Sequence, residues 1–320
     1  MQWLSLVTVA LAVSQTHAAM TRFACSQLVT ERLDPIISPG VVGSQHMHQI
    51  VGGNAFNVTM PETTDFGSEA SCTSCTFSED FSNYWTPVLY FQAQNGSFRR
   101  VPQMANQYLN GANGGVTVYY VTPDDTSVNV TAFKPGFRMI VGTATARTSA
   151  GGYTNSYRCY DGPNFEPNPF GVSDNDTMDL PQRYCAGGIR AANFFPTCWD
   201  GVNLDSPDHK SHMSYLMGST CPSSHPVQVP QVFLETVWDT AVFDKSQWPT
   251  DGSQPFVFAQ GDPTGYGNHA DYVFGWKGDS LQRAMDARCD VSGCTELATQ
   301  TMTAANQCTQ PQIAKEALDE

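Results

Sequence analysis

Apolar and polar residues alternate in short runs along most of this chain, and the runs have the period of strands rather than helices. Gly115 to Val121 (GVTVYYV), Thr86 to Phe91 (TPVLYF), Phe137 to Val141 (FRMIV), Val227 to Leu234 (VQVPQVFL) and Pro255 to Ala259 (PFVFA) are rich in β-branched and aromatic residues, and turn formers bound them. That composition with a period near two predicts strands. Helical periodicity is scarce. Gly278 to Asp286 reads as one short helix with Asp279 or Ser280 at its cap, and Leu297 to Asn306 as a second, less regular one. The 26 glycines and 20 prolines are spread through the chain rather than gathered in a linker, and no internal repeat is present. The pattern predicts a mainly β, β-sandwich or jelly-roll-like single domain with long disulfide-linked loops and few short helices.

One apolar stretch belongs to none of these elements. Leu4 to Val13 is broken only by Ser5 and Thr8, no charged side chain precedes Thr21, and Thr16-His17-Ala18 follows it. Such a run is too short to span a bilayer and matches a secretory signal with a small-residue cleavage site. The expected cut is after Ala18, with Ala19 as the alternative. Residues 1–18 are then a signal peptide, 19–310 the β-rich domain and 311–320 a polar, frayed tail. No later stretch approaches the roughly 20 apolar residues of a membrane helix. The polar ending QIAKEALDE argues against a lipid anchor. The expectation is a secreted monomer, extracellular or associated with a cell wall, with no membrane partner.

Export changes the reading of the cysteines. All ten (Cys25, Cys72, Cys75, Cys159, Cys185, Cys198, Cys221, Cys289, Cys294 and Cys308) lie beyond the cleavage site, and in an oxidising compartment they predict up to five disulfides. The CxxC of Cys72 and Cys75 is then structural rather than a redox or zinc motif, since no second CxxC and no βαβ pattern accompany it. Sequons at Asn57, Asn95, Asn129 and Asn175 agree with export and mark candidate glycosylation sites. The charge is tilted acidic, 16 Lys+Arg against 30 Asp+Glu for a net −14. This disfavours nucleic acid as a partner.

Candidate chemistry gathers around histidine. In Ser44-Gln-His-Met-His-Gln-Ile50, His46 and His48 are two apart and share a face if extended. The segment from Cys198 to Tyr215 holds Asp200, Asp205, Asp208, His209 and His212, and Gly265 to Tyr272 pairs His269 with Asp271. Histidine with a carboxylate suits general acid–base work or a divalent metal. Paired carboxylates of the glycosidase kind among Asp200, Asp205, Asp239 and Asp271 also remain open. The expected catalytic set is His46, His48, His212, His269, Asp200 and Asp271, with Trp199, Tyr215, Asn268 and Tyr272 binding substrate. No cofactor is expected; a divalent metal on His46, His48 and His212 is the alternative. There is no G-x-S-x-G elbow, HExxH or P-loop, and cleavage after Ala18 removes the one histidine, His17, that could serve an amino-terminal copper brace.

Trp85, Trp199, Trp238, Trp248 and Trp276 lie beside Asn, Asp and Gly, the mixture that stacks on sugars, although each could instead anchor the core. Three longer segments then carry a resemblance. FACSQLVTERLDPIISPGVVGSQHMHQIVGGNAF, PTCWDGVNLDSPDHKSHMSY, and HADYVFGW with LQRAMDARCD together resemble the fungal secreted family catalogued as domain of unknown function 1996, over nearly the whole mature chain. The resemblance implies an extracellular or wall-associated role on polysaccharide, and it supplies no reaction or catalytic residues. The reading is a carbohydrate-active protein with a His/Asp-lined cleft, acting on a cell-wall or extracellular polysaccharide as a hydrolase or lyase. A non-catalytic glycan-binding or wall protein and a secreted effector are the alternatives.

Overall fold

Strand pairing is antiparallel wherever the computed structural model describes the chain, which is over residues 19–106, 109, 114–149, 154–166, 171 and 173–316. The expected signal peptide lies outside the described residues. Two principal sheets form. A five-stranded sheet has the order Gln27–Glu31, His48–Gly52, Asn83–Pro87, Ala270–Val273, Arg138–Val141. A seven-stranded sheet runs Met20–Cys25, Val116–Val121, Gln231–Trp238, Ile189–Phe194, Asn155–Cys159, Asp176–Thr177, with Gln103–Met104 also on Gln231–Trp238. Mainly β structure with few short helices (Phe66–Glu69, Ser280–Asp286 and Met302–Gln307 among the described residues) is what the alternating pattern predicts.

The two sheets face each other, and the alternation of side chains decides which residues meet between them. Phe23, Val118, Tyr120, Val232 and Leu234 from the larger sheet pack against Val51, Tyr84, Met139, Val141 and Tyr272 from the smaller. Tyr84 Oη, Tyr120 Oη and Tyr272 Oη form a buried chain (2.7 and 3.0 Å) that ends on Asp80 Oδ2, 2.8 Å from Tyr84 Oη. Tyr272 therefore satisfies its hydroxyl inside the core and is not open to substrate. The outward face of the five-stranded sheet carries Ile50, Trp85 and Val273, which a second core with Leu33, Ile36, Phe56 and Phe66 covers. The rest of the larger sheet packs under the strands Leu89–Gln92 and Phe256–Phe258.

Trp85, Trp199, Trp238, Trp248 and Trp276 are all at most 4% exposed. None of the five can stack on a sugar, so they are core anchors. Turn-like neighbours in sequence hid this, because each ring turns inward from a chain whose polar residues face out.

Disulfides join Cys25–Cys75, Cys72–Cys308, Cys159–Cys185, Cys198–Cys221 and Cys289–Cys294, and no cysteine is free. The two cysteines of the CxxC thus pair with different partners. Beyond Cys308 the chain is tied rather than frayed as far as residue 316. Gln310 N donates to Leu28 O, Gln312 Nε2 to Thr30 O, and Ile313 N and Ala314 N to Glu31 Oε2. This segment lies along the edge strand Gln27–Glu31 and covers backbone groups that an open edge would expose. The four sequon asparagines, Asn57, Asn95, Asn129 and Asn175, are exposed.

Candidate functional site

The outward face of the five-stranded sheet also carries the histidines. His48 opens its strand opposite Glu31 on one side and Pro87 on the other. Being two residues before Ile50, it points to the same face. His269 immediately precedes Ala270–Val273, and Asp271 stands two residues on, in register with Trp85 and Ile140. The loop from Arg32 to Met47 folds over this end of the sheet. Asp34 Oδ1 holds it by accepting from Ile36 N and Ile37 N, and Ser44 N donates to Arg32 O. The loop thereby brings His46 over the strand that bears His48.

Three imidazoles converge. His46 Nε2 lies 3.0 Å from His269 Nε2, and His48 Nε2 lies 3.4 Å from the same atom. The His46 and His269 rings meet at 86° and the His48 and His269 rings at 90°, so they meet through their nitrogen edges rather than stack. The opposite nitrogens of two rings are fixed by backbone: His48 Nδ1 is 3.0 Å from Leu33 O and His269 Nδ1 2.9 Å from Gly267 O. A carbonyl only accepts, so both Nδ1 atoms carry the N–H and both Nε2 atoms present lone pairs to the centre. Burial, with each ring's positive neighbours adding to it for His46 and His48, pushes the imidazoles down, to about 2 for His46 and about 3 for His48. Burial likewise lowers His269.

His46 and His269 line a cleft of about 270 Å³ together with Asp34, Asp271 and Lys210, and His48 lies buried behind them. Burial, then the nearby Asp34 carboxylate, raises Asp271 well above the usual carboxylate range. Its Oδ2 has no hydrogen-bond partner among the described residues. Lys210 Nζ donates to Gly142 O and to Thr143 Oγ1 on the rim, and burial lowers it. A second depression of about 210 Å³, holding Asn155, Met178, Tyr215 and Tyr266, shares the wall Ile140–Thr143 and Lys210 with the first. The two depressions are neighbours on either side of these residues.

The remaining expected site residues fall elsewhere. His212 does not join the trio, so the metal set His46, His48 and His212 is not assembled; His269 takes the third place. His212 Nε2 is 2.9 Å from Arg138 O and Nδ1 2.8 Å from Ser206 Oγ, and the ring packs on Phe137, which occupies both nitrogens in holding a loop. Asp200 accepts from Val202 N, Asn203 N and Asn203 Nδ2, which makes it the lock of a tight turn. Asp205 and His209 pair with each other, 2.8 Å apart. Trp199 is buried and donates to Asn203 O. Asn268 is buried with Nδ2 3.4 Å from Asn193 Oδ1, outside the cleft lining. Tyr215 alone among the expected substrate contacts is exposed, at 40%, and lines the second depression. Sequence reading missed Lys210 and Asp34. Lys210 sits inside the Asp208-His-Lys-Ser-His212 motif, whose loop pairs with the sheet edge through Ile140 N to His209 O. A second metal-like grouping, Cys25, Cys75 and Asp80, is closed because its two sulfurs are joined in a disulfide.

A disulfide-bridged antiparallel β-sandwich with a three-histidine cleft on its outer face defines the class of this protein. The chain belongs to the family described as Domain of unknown function (DUF1996), whose model matches residues 34–276 and so takes in every residue of the cleft. No curated protein and no solved structure matches the chain.

Proposed function

We propose that this is a secreted, carbohydrate-active protein that acts on a cell-wall or extracellular polysaccharide, by hydrolysis or elimination, in the cleft lined by His46 and His269, with His48 behind them. The observation that carries the reading is the convergence of three imidazole nitrogens beside Asp271 at the base of an open groove. Both reactions need a group to take a proton from water or from a sugar carbon, and another to stabilise or protonate what leaves. The imidazole lone pairs serve the first need. Asp271, whose Oδ2 has no partner among the described residues, and Lys210, with its ammonium on the rim, stand where the second is met.

The adjacency of the two depressions, which share Ile140–Thr143 and Lys210, favours a chain-like substrate, with Tyr215 and Tyr266 offering aromatic contact away from the histidines. Tyr215, placed by donating to Phe194 O at 2.7 Å, is partly exposed and can offer its ring to a sugar. Five disulfides, exposed sequons and the apolar leader support export and glycosylation. The test is incubation of the purified protein with a polysaccharide panel, scored for new reducing ends and for unsaturated products. Products from wild type, lost in His269→Ala, are expected. Binding without products in any member of the panel would replace this reading with a non-catalytic glycan-binding role.

A further inference from the structure

We propose that His46, His48 and His269 bind one divalent transition-metal ion, zinc or copper, through their three Nε2 atoms. The inference begins with a mismatch in hydrogen bonding. Neutral imidazole has a single N–H, and His48 and His269 have each spent it on a backbone carbonyl, Leu33 O and Gly267 O. Their Nε2 lone pairs are then aimed at one another across 3.4 Å with no hydrogen between them. His46 can donate to His269, 3.0 Å away, but it cannot serve both rings with one proton. Two opposed lone pairs in a buried site repel unless something positive lies among them.

The spacing fits a metal. Ligand–metal distances of about 2.0–2.1 Å at tetrahedral angles separate imidazole nitrogens by roughly 3.3 Å; the two spacings to His269 Nε2 are 3.0 and 3.4 Å, and the ligand atoms of all three rings lie within 4.8 Å of one another. The carbonyls on Nδ1 of His48 and His269 are also what a metal-binding histidine uses to fix its tautomer and to make the other nitrogen more basic. A ligand set of imidazoles without thiolate selects zinc or copper over magnesium or calcium, which take oxygen. His48 is fully buried at the back, while His46 and His269 border the cleft. A fourth position would therefore open toward the groove, as in catalytic rather than structural sites. When bound, such an ion lowers the pKa of a coordinated water or polarises an oxygen of the substrate. Metal binding stands on the ring geometry alone; as the source of activated water it rests on the glycan reading above.

The experiment is titration of chelator-treated, full-length protein with Zn(II) and separately with Cu(II), followed calorimetrically and by metal analysis after dialysis. One ion per chain is expected, with affinity reduced by at least about a hundredfold in His48→Gln and His269→Gln and unchanged in His225→Gln. Electron paramagnetic resonance of the copper-loaded wild type gives a readout that needs no variant, and nitrogen couplings from imidazoles are expected. Substoichiometric binding by wild type, equal affinity in His269→Gln, or copper spectra without nitrogen coupling would each overturn the site. One ion bound with no product from any polysaccharide would uphold this inference and overturn the glycan reading instead.

Discussion

Gly142 and His269 are in contact so close that a methyl group on Gly142 would stand 2.9 Å from His269 Cα and 2.5 Å from Asn268 O. Gly142 also has φ +83°, a conformation that costs any other residue. Its place at the end of Arg138–Val141, beside the Ala270–Val273 strand, fixes the approach of His269 to the other two rings.

Gly142→Ala is therefore expected to displace His269 while leaving the two cores intact. The cost to stability should be on the order of 1–3 kcal/mol, from positive φ and the contact together. Zinc affinity should fall more than the midpoint of chemical unfolding, and comparing the two measurements checks it. Equal, small changes in both would mean that the backbone at Gly142 does not position the ring.

A second expectation concerns Lys210 and Tyr215. Lys210→Met removes the ammonium on the rim and keeps the aliphatic stem; Tyr215→Ala removes the exposed ring from the second depression. Tyr215→Ala should leave the unfolding free energy within about 1 kcal/mol, as changes at exposed residues do, whereas Lys210→Met, which loses the bond to Gly142 O, should cost about 1–3 kcal/mol. Lys210→Met should lower turnover of an active polysaccharide by tenfold or more, whereas Tyr215→Ala should chiefly raise KM. Steady-state kinetics on chain-length-defined oligosaccharides separates the two effects.

Asp80 gives a pH dependence of stability away from the cleft. Burial raises its carboxyl to about 7, against the hydrogen bonds it accepts from Tyr84 and Ser82. The unfolded chain releases that proton near pH 4, so between about 4 and 7 the folded state holds more protons than the unfolded one. The stability from this group is full below pH 4 and is lost as pH rises through 7, by a few kcal/mol. Asp80→Asn keeps an acceptor for Ser82 N and should flatten this part of the curve. Denaturant midpoints of both proteins from pH 4 to pH 8 test it; parallel curves would contradict the assignment.

Cys72–Cys308 closes a loop of 236 residues and anchors the segment on Gln27–Glu31. Replacing both cysteines with Ala should cost about 2–5 kcal/mol. It should also expose Gln310 to Ala314 to amide exchange ahead of the two cores. Exchange by mass spectrometry shows this directly, and retained protection would mean that Glu31 and Gln312 hold the segment unaided.

Much of this architecture is legible from residues alone, and the gaps have physical causes. Val116–Val121 and Arg138–Val141 follow from their alternation. Two predicted single strands each divide in two: Thr86 to Phe91 breaks after Pro87, and Val227 to Leu234 breaks at Pro230, where the ring removes a ladder donor. The His46–His48 pair is visible as HxH, but its third member lies more than 220 residues away and only strand order brings it near. Asp200-Gly-Val-Asn203 is a turn signature that the structure uses as one. The tryptophans mislead because composition beside a ring does not reveal which way the ring points.

The order of strands in the five-stranded sheet also governs how the protein comes into being. Ala270–Val273 lies between Asn83–Pro87 and Arg138–Val141, two strands made long before it. The chain emerging from the ribosome must therefore keep a vacant lane in its own sheet until the last strand arrives, a slow and non-local closure. A product truncated before residue 269 lacks an inner strand of this sheet and holds only two of the three imidazoles, so a completed cleft certifies that synthesis has passed Val273.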